Sequence, residues 1–428
     1  MFFLGLMNKK TKLTLDELRN EAVKKYAWND EILENLNHVK NEVVERLKRA
    51  IDELNYDVEI FVGGSAAKKT FTKKFDIDIF LRFDLKYEKI SELAEEIMNK
   101  AFDNVIKLHG SRDYFQTFFN GIKIEVVPVY KINSPDEAKN ITDVSPFHVK
   151  WFLSVANDEI AKDVSISKVL LKANYLYGAE TYRRGISGYV LEILNVHYNG
   201  FVNMIKEVAK WPINSNKRIV VDIANHYKND DPLKHLSESK ITPLIVIDPL
   251  DKNRNAAAAL SFENLKKLIM LCRNILNNPS IEFFEKKSID KIIEKGIIFE
   301  FEFDDKKHDI IATKIINYFK RMKHYLNLND FDVKDWIYDF DFENKKGVLG
   351  FECETRLSEE KIVIGPPLHA KKNVEKFREK YKETFVKNNR IYAKVKRKFV
   401  TIDDFIKDYI TKNPPKIMTS LKWKKNGN

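Results

Sequence analysis

Cysteine is nearly absent: 428 residues contain only Cys272 and Cys353, 81 positions apart. That spacing leaves no CxxC zinc or redox motif and no disulfide framework, so both are expected to be small buried hydrophobes. Long apolar runs are missing too. No uncharged stretch approaches the roughly 18 residues that span a bilayer, so no membrane partner is expected. The opening MFFLGLMNKK carries its positive charge after the apolar run, and no small-residue cleavage site follows it. This is unlike a secretory signal and leads to the expectation of a cytoplasmic protein. Repeats of fixed period and low-complexity tracts are also missing. What is present is 44% hydrophobic and 12% aromatic residues, enough for more than one core, which excludes wholesale disorder. At about 150 residues per domain the length suits roughly three domains.

Positive charge is concentrated at one end. The whole chain has 74 Lys+Arg against 63 Asp+Glu, a net +11, and residues 371 to 428 hold 18 against 6, a net +12. The remaining 370 residues are therefore nearly neutral, at −1. A basic end on a neutral body fits a protein that grips a polyanion there and does its chemistry elsewhere. A solubilising lysine-rich surface gives the same count.

Up to about residue 56 the spacing of Leu33, Leu36, Val39, Val43, Val44 and Leu47 predicts helix. The period then changes to strands at 57–62 and 76–83, a helix at 90–102, and strands at 114–119 and 122–130 joined by Asn120-Gly121, a strong hairpin signal. From Pro146 to Asn278 helical spacing returns, as in 168–177 and 262–276, interrupted by a stretch with Pro and Asp near 243–251. Strands at 297–303, 336–342, 348–354, 361–364 and 390–395 then interleave with helices at 310–326 and 374–381, and Lys422-Trp423-Lys424-Lys425 is expected to fray. The fold expected is multidomain α+β: a mixed-sheet head over 1–150, a helical central or neck domain over 151–280, and an α+β body and tail over 281–428.

Gly63-Gly64-Ser65 stands where a strand hands over to a helix, and glycine lets the backbone come close to a phosphate while Ser65 adds a hydroxyl. Alone, such a turn is equally a tight connection. Eleven residues later Asp76 and Asp78 alternate with Ile77 on a strand, so both carboxylates leave one face. Like charges side by side are destabilising unless a cation relieves them, and two carboxylates with substrate phosphates are what Mg²⁺ prefers. Glu125, between Ile124 and Val126, is an unusual place for a charge unless something pairs with it. The order of Gly-Ser, Asp-x-Asp and a later acid is more specific than any of its pieces.

This ordering resembles the DNA polymerase β-like nucleotidyltransferases and, more narrowly, the archaeal-type (class I) CCA-adding enzymes. The narrower resemblance runs through Ser145-Pro146-Phe147-His148, Lys168, Tyr177-Gly178-Ala179-Glu180, Arg184-Gly185-Ile186-Ser187-Gly188-Tyr189, Asp248-Pro249-Leu250-Asp251, Arg254-Asn255, Gly365-Pro366-Pro367 and Asn373-Val374-Glu375. It implies template-independent addition of CCA to the 3′ end of tRNA from CTP and ATP, with Mg²⁺ as cofactor. Asp76, Asp78 and Glu125 are then the catalytic, metal-holding acids. Gly64, Ser65, His148, Lys168 and Tyr177 then hold the nucleotide's phosphates, Lys68 belongs to the same nucleotide site, Arg254 helps recognise the base, and the tail grips the top half of tRNA. Three positions depart from the family pattern: Lys68 and Val144 stand where arginine is expected, and Glu125 where the third acid is commonly Asp. Lys68 keeps the charge but loses the bidentate fork. The alternatives are another terminal transferase, such as a poly(A) polymerase or an oligoadenylate synthase, or a non-catalytic RNA-binding protein. Oligomeric state stays open, a homodimer included.

Overall fold

A computed structural model describes residues 13–110, 112–214, 216–228, 230–304 and 307–427. The MFFLGLMNKK segment lies outside them. Two compact units divide the chain after Lys286, and each is taken by itself.

The first unit opens with helices Leu15–Tyr26 and Asp30–Glu53. Thr14 and Glu17 form a reciprocal cap on the first, and Asn29 accepts from the Ile32 amide to cap the second. The head sheet follows, with strands β1 (Val58–Val62), β2 (Ile77–Phe83), β3 (Ile106–His109), β4 (Asp113–Phe119) and β5 (Ile122–Tyr130), in the order β1-β2-β5-β4-β3. Only β2 and β5 run parallel; their register sets Asp78 beside Glu125 and Ile77 beside Ile124. Asn120 and Gly121 both take positive φ, 51° and 76°, and close the β4–β5 hairpin. On the face away from the acids, Ile77, Ile79, Ile124 and Val126 are fully buried, packed with Leu36, Val43 and Leu47 of the second helix and Ala94 and Ile97 of helix Ile90–Ala101. Strand β3 carries no alternation that the sequence reveals, since half of its four residues stay exposed.

Helices Ser145–Val155, Asp158–Ala173, Gly188–His197, Phe201–Lys210 and Phe262–Asn277 form the next layer around their own core, where Cys272 is buried. The helix expected over 168–177 stops at Ala173: Asn174 caps it, Tyr175 turns left-handed at φ 59°, and Tyr177 pairs instead with Ile186. The Pro- and Asp-containing stretch at 243–251 holds the central strand of a small sheet of β6 (Ile219–Val221), β7 (Leu244–Asp248) and β8 (Asp251–Asn255). All five residues of β7 are buried, so it reads as a short apolar run without the alternation that reveals half-exposed strands.

The second unit is α+β. Its main sheet contains β9 (Gly296–Glu302), β10 (Asp335–Asp341) and β11 (Lys346–Glu352), and a separate sheet contains β12 (Glu360–Pro367), β13 (Thr384–Lys387) and β14 (Arg390–Lys396). Helices His308–Leu328, Lys371–Lys380 and Ile402–Lys412 lie between them in sequence. The tail expected to fray is strand β15 (Ser420–Asn426), completing the main sheet in the order β10-β11-β9-β15. Trp423 stands opposite Phe299, its indole donates to Asp403 at 3.1 Å, and Lys424 pairs with Glu300 at 2.9 Å. Three lysines in four positions hide the strand from composition, because their charged tips reach solvent while the backbone pairs.

Removing residues after Thr419 turns β9 into an edge strand over Phe299 and Phe301. Such a truncation is expected to unfold at lower temperature and to aggregate on heating. Trp423→Ala, which removes half-buried area and one hydrogen bond, is expected to cost about 1 to 3 kcal/mol in denaturant unfolding; unchanged melting of both variants would show β15 to be dispensable.

Candidate active site

The turn after β1 brings the backbone against the acids. Gly64 has φ +57°, and a Cβ there would stand 1.6 Å from Asp78 Oδ2, so only glycine fits. The Gly63 amide donates to the Asp78 carbonyl at 2.8 Å, and Ser65 is the second residue of the short helix Gly64–Lys68 that follows. Asp76 precedes β2, Asp78 lies within it, and Glu125 is its neighbour on β5. Burial, then the charges of Asp76 and Glu125, push the Asp78 carboxyl up to about 6. Gln116 donates to Glu125 Oε2 at 3.0 Å, and Lys123 Nζ stands 3.3 Å from that oxygen and 3.5 Å from Asp76 Oδ2. Among the described residues no group of three or more His, Cys, Asp or Glu forms a protein-only metal cage. Half-buried carboxylates of this kind suit a cation that completes its shell with substrate oxygens.

A second cluster lies at the root of the turn. Lys68 is buried and ion-paired to the equally buried Glu192 at 2.7 Å. Glu192 also accepts from the Thr70 hydroxyl at 3.3 Å, and Lys168 Nζ donates to the Thr70 carbonyl at 2.8 Å and its hydroxyl at 3.0 Å. Burial pulls the Lys168 ammonium down to about 8, with Glu192 opposing and Lys68 assisting. Burial likewise pushes the Tyr177 phenol up to about 12. That hydroxyl passes so close to Gly188 that a Cβ there would sit 3.0 Å from it, and 3.5 Å from Lys168 Cε. The helix Gly64–Lys68 links this cluster to the acids, with Gly64 against Asp78 at one end and Lys68 at the other.

The third cluster centres on Asp248, at the end of β7. Its Oδ2 is 2.6 Å from Arg254 Nη1 and 3.3 Å from His148 Nε2, and its Oδ1 accepts from the Tyr189 hydroxyl at 2.8 Å. The His148 and Tyr189 rings lie 4.1 Å apart. Burial works to raise the Asp248 carboxyl, but His148, the Leu250 amide and Arg254 outweigh it and hold it at about 2. Arg254 lines a cleft of about 270 Å³ with Lys139, Asn140, Val144 and Asp251. Val144, where arginine was expected, closes a 3₁₀ turn anchored by buried Asp143, which pairs with Arg112 and accepts from the Tyr130 amide at 2.9 Å.

The candidate residues thus fall into three groups: Gly64, Ser65, Asp76, Asp78 and Glu125; Lys68, Lys168 and Tyr177; His148 and Arg254. Helix Gly188–His197 connects the last two groups, presenting Gly188 to Tyr177, Tyr189 to Asp248 and Glu192 to Lys68. Sequence reasoning missed Glu192, Thr70, Tyr189 and the role of Asp248. Glu192 carried the signal that exposed Glu125, a lone carboxylate among Val190, Leu191, Ile193 and Leu194.

Comparison with known proteins places the chain as follows. Residues 44–148 match the nucleotidyltransferase domain, 162–285 the tRNA nucleotidyltransferase second domain and 295–419 the CCA-adding enzyme C-terminal domain. The CCA-adding enzyme of Nanoarchaeum equitans is 37% identical over 376 residues, covering 85% of this chain and 92% of that protein. That of Methanocaldococcus jannaschii is 30% identical over 419 residues, covering 94% and 92%. A solved structure of the Cid1 poly(U) polymerase, at 12% identity and TM-score 0.50 over 63% of this chain and 98% of that one, shares the fold.

Two measurements test these clusters. Glu192→Ala strands the Lys68 ammonium in the interior and is expected to cost about 3 to 5 kcal/mol. Adding Lys68→Met should recover most of it in denaturant unfolding; purely additive losses would show that the pair does not interact. Asp78 holds its proton to about pH 6 when folded but only to about 3.8 when unfolded. Without metal, the stability this proton confers is complete below about pH 4 and is lost as pH rises through 6, up to about 3 kcal/mol. The stability lead of Asp78→Asn over the parent should therefore grow across that window, and a pH-independent lead would refute the assignment.

Proposed function

The chain belongs to the CCA-adding enzymes, and from that premise we propose how its residues divide the work of completing the 3′ end of tRNA. The reaction is nucleotidyl transfer: the 3′-hydroxyl attacks the α-phosphorus of CTP or ATP, and pyrophosphate leaves. The observation that carries this reading is the convergence of Asp76, Asp78 and Glu125 on one sheet face, with the Gly64-Ser65 turn against Asp78. The C-terminal domain match favours it over a poly(A) polymerase or an oligoadenylate synthase.

Asp76, Asp78 and Glu125 are the residues that would hold divalent cations, and a half-buried carboxyl repelled by two like neighbours fits that role. Mg²⁺ bound there supplies Lewis-acid activation of the attacking oxygen and charge neutralisation at the leaving one. Glu125 also stands to take the proton of the 3′-hydroxyl. Ser65 and the amides of its turn bind the β- and γ-phosphates. Lys68 and Lys168, two buried ammonium groups against the single carboxylate of Glu192, leave a net positive floor beneath them.

Arg254 reads the base from the cleft it lines. Asp248 holds one of its nitrogens, which fixes the fork so that its remaining donors meet acceptors on C or A. We assign residues 1–150 to catalysis, 151–280 to completing the nucleotide site and 281–428 to tRNA. Exposed Lys371, Lys372, Lys376, Lys382 and Lys387 are available there to phosphates.

With tRNA, Mg²⁺ and labelled CTP or ATP, Asp76→Asn and Asp78→Asn are expected to abolish both C and A addition while tRNA binding stays within a few fold. Glu125→Gln should lose about 10²- to 10⁴-fold in kcat, and Glu125→Asp should keep part of it because the carboxylate survives. Near-normal incorporation by Asp78→Asn would remove the acids from the mechanism.

A further inference from the structure

Lys123 lies on the catalytic strand β5, two residues before Glu125 and therefore on the same face. The β2–β5 ladder begins at Ile77 opposite Ile124, so Asp76, one residue earlier, arrives beside Lys123. Its ammonium touches both flanking acids, 3.5 Å from Asp76 Oδ2 and 3.3 Å from Glu125 Oε2. Asp76 and Glu125 are among the acids that would hold a divalent cation, so the ammonium and the cation would compete for the same carboxylates. The side chain is 36% exposed and the β4 residue opposite it, Phe118, is 66% exposed, so the stem has open space to withdraw into. A lysine suits both positions, being a compact charge on a flexible four-carbon stem. Long, half-exposed ion pairs of this kind contribute little and exchange readily.

We infer that Lys123 is a built-in counter-cation of the catalytic carboxylates, holding Asp76 and Glu125 together in the metal-free enzyme and being displaced when a divalent cation binds. The inference rests on the reading of these acids as the metal site. Its consequence is that the free enzyme takes up metal weakly, because each ion must expel a charge already in place. A nucleoside triphosphate shifts that balance: its phosphate oxygens add ligands for the metal and an anionic destination for the displaced ammonium. Metal and nucleotide are then loaded together.

The test is Mn²⁺ titration of the full-length, nucleotide-free protein, with unbound Mn²⁺ read by electron paramagnetic resonance. Lys123→Met and Lys123→Gln are expected to bind Mn²⁺ about tenfold more tightly than the parent, the effect of removing one like charge near the site. In the parent, labelling of Lys123 by an amine-reactive reagent, followed by mass spectrometry, should rise on adding Mn²⁺ as the ammonium is released. The labelling arm needs no variant to fold. Affinity that is unchanged or weaker in both variants, or labelling that does not rise, overturns the role of Lys123. Asp78→Asn combined with Lys123→Met separates this from the underlying reading. If the double variant still binds Mn²⁺ tightly, the acids are not the metal site; if it does not, and Lys123→Met alone gains nothing, only the Lys123 inference falls.

Discussion

Repulsion among three carboxylates is the constraint around which the head is built. Asp78 sits beside Glu125 because β2 and β5 are parallel and in register, and Asp76 is one step away. The opposite face of the same strands holds them there. Ile77, Ile79, Ile124 and Val126 are fully buried, so a shift of one residue would turn the acids into the core and the isoleucines into water. Hydrophobic burial on one face thus stabilises an arrangement that the other face resists. Gln116 and Lys123 offset part of the repulsion, and a glycine with no side chain lets the Gly63-Gly64-Ser65 turn close over Asp78.

The first five residues of helix Gly188–His197 tie the acidic face of the head sheet to the groups around it. Gly188 admits the Tyr177 hydroxyl, Tyr189 holds Asp248, and Glu192 holds Lys68 and Thr70. Tyr189 and Glu192, three residues apart, lie on one side of the helix, so one element positions the Asp248 and Lys68 clusters together. Lys68 stands where the family pattern has arginine, and Glu192 takes its ammonium at 2.7 Å. Its charge is thereby tied into the Glu192–Thr70–Lys168 chain.

Part of the charge at the basic end is used inside the fold. Lys424 pairs with Glu300, Lys425 with Asp403, Lys394 with Glu360, and Arg397 with Asp330, all within the second unit. Those charges fasten strands and helices. Exposed lysines of helix Lys371–Lys380 and of β13 carry the charge that remains for a polyanion. Net charge alone could not make this division, because it counts cations without their partners.

The sequence by itself determined the head and the identity of the chemistry. Period-2 alternation with an Asn-Gly turn marks β4 and β5, and a carboxylate among β-branched residues betrays a charge that must be paired, which is how Glu125 was legible. Local signals of this kind survive because they need only near neighbours. β7 escaped because a strand buried on both faces has no alternation, and β15 because its lysines mimic a solvated tail while its backbone pairs with residues more than a hundred positions away. The partners of Lys68, Arg254 and Lys123 were likewise decided by the tertiary structure. Each depends on chain segments distant in sequence or on strand register, and a side chain's charge partner is set by distance in space.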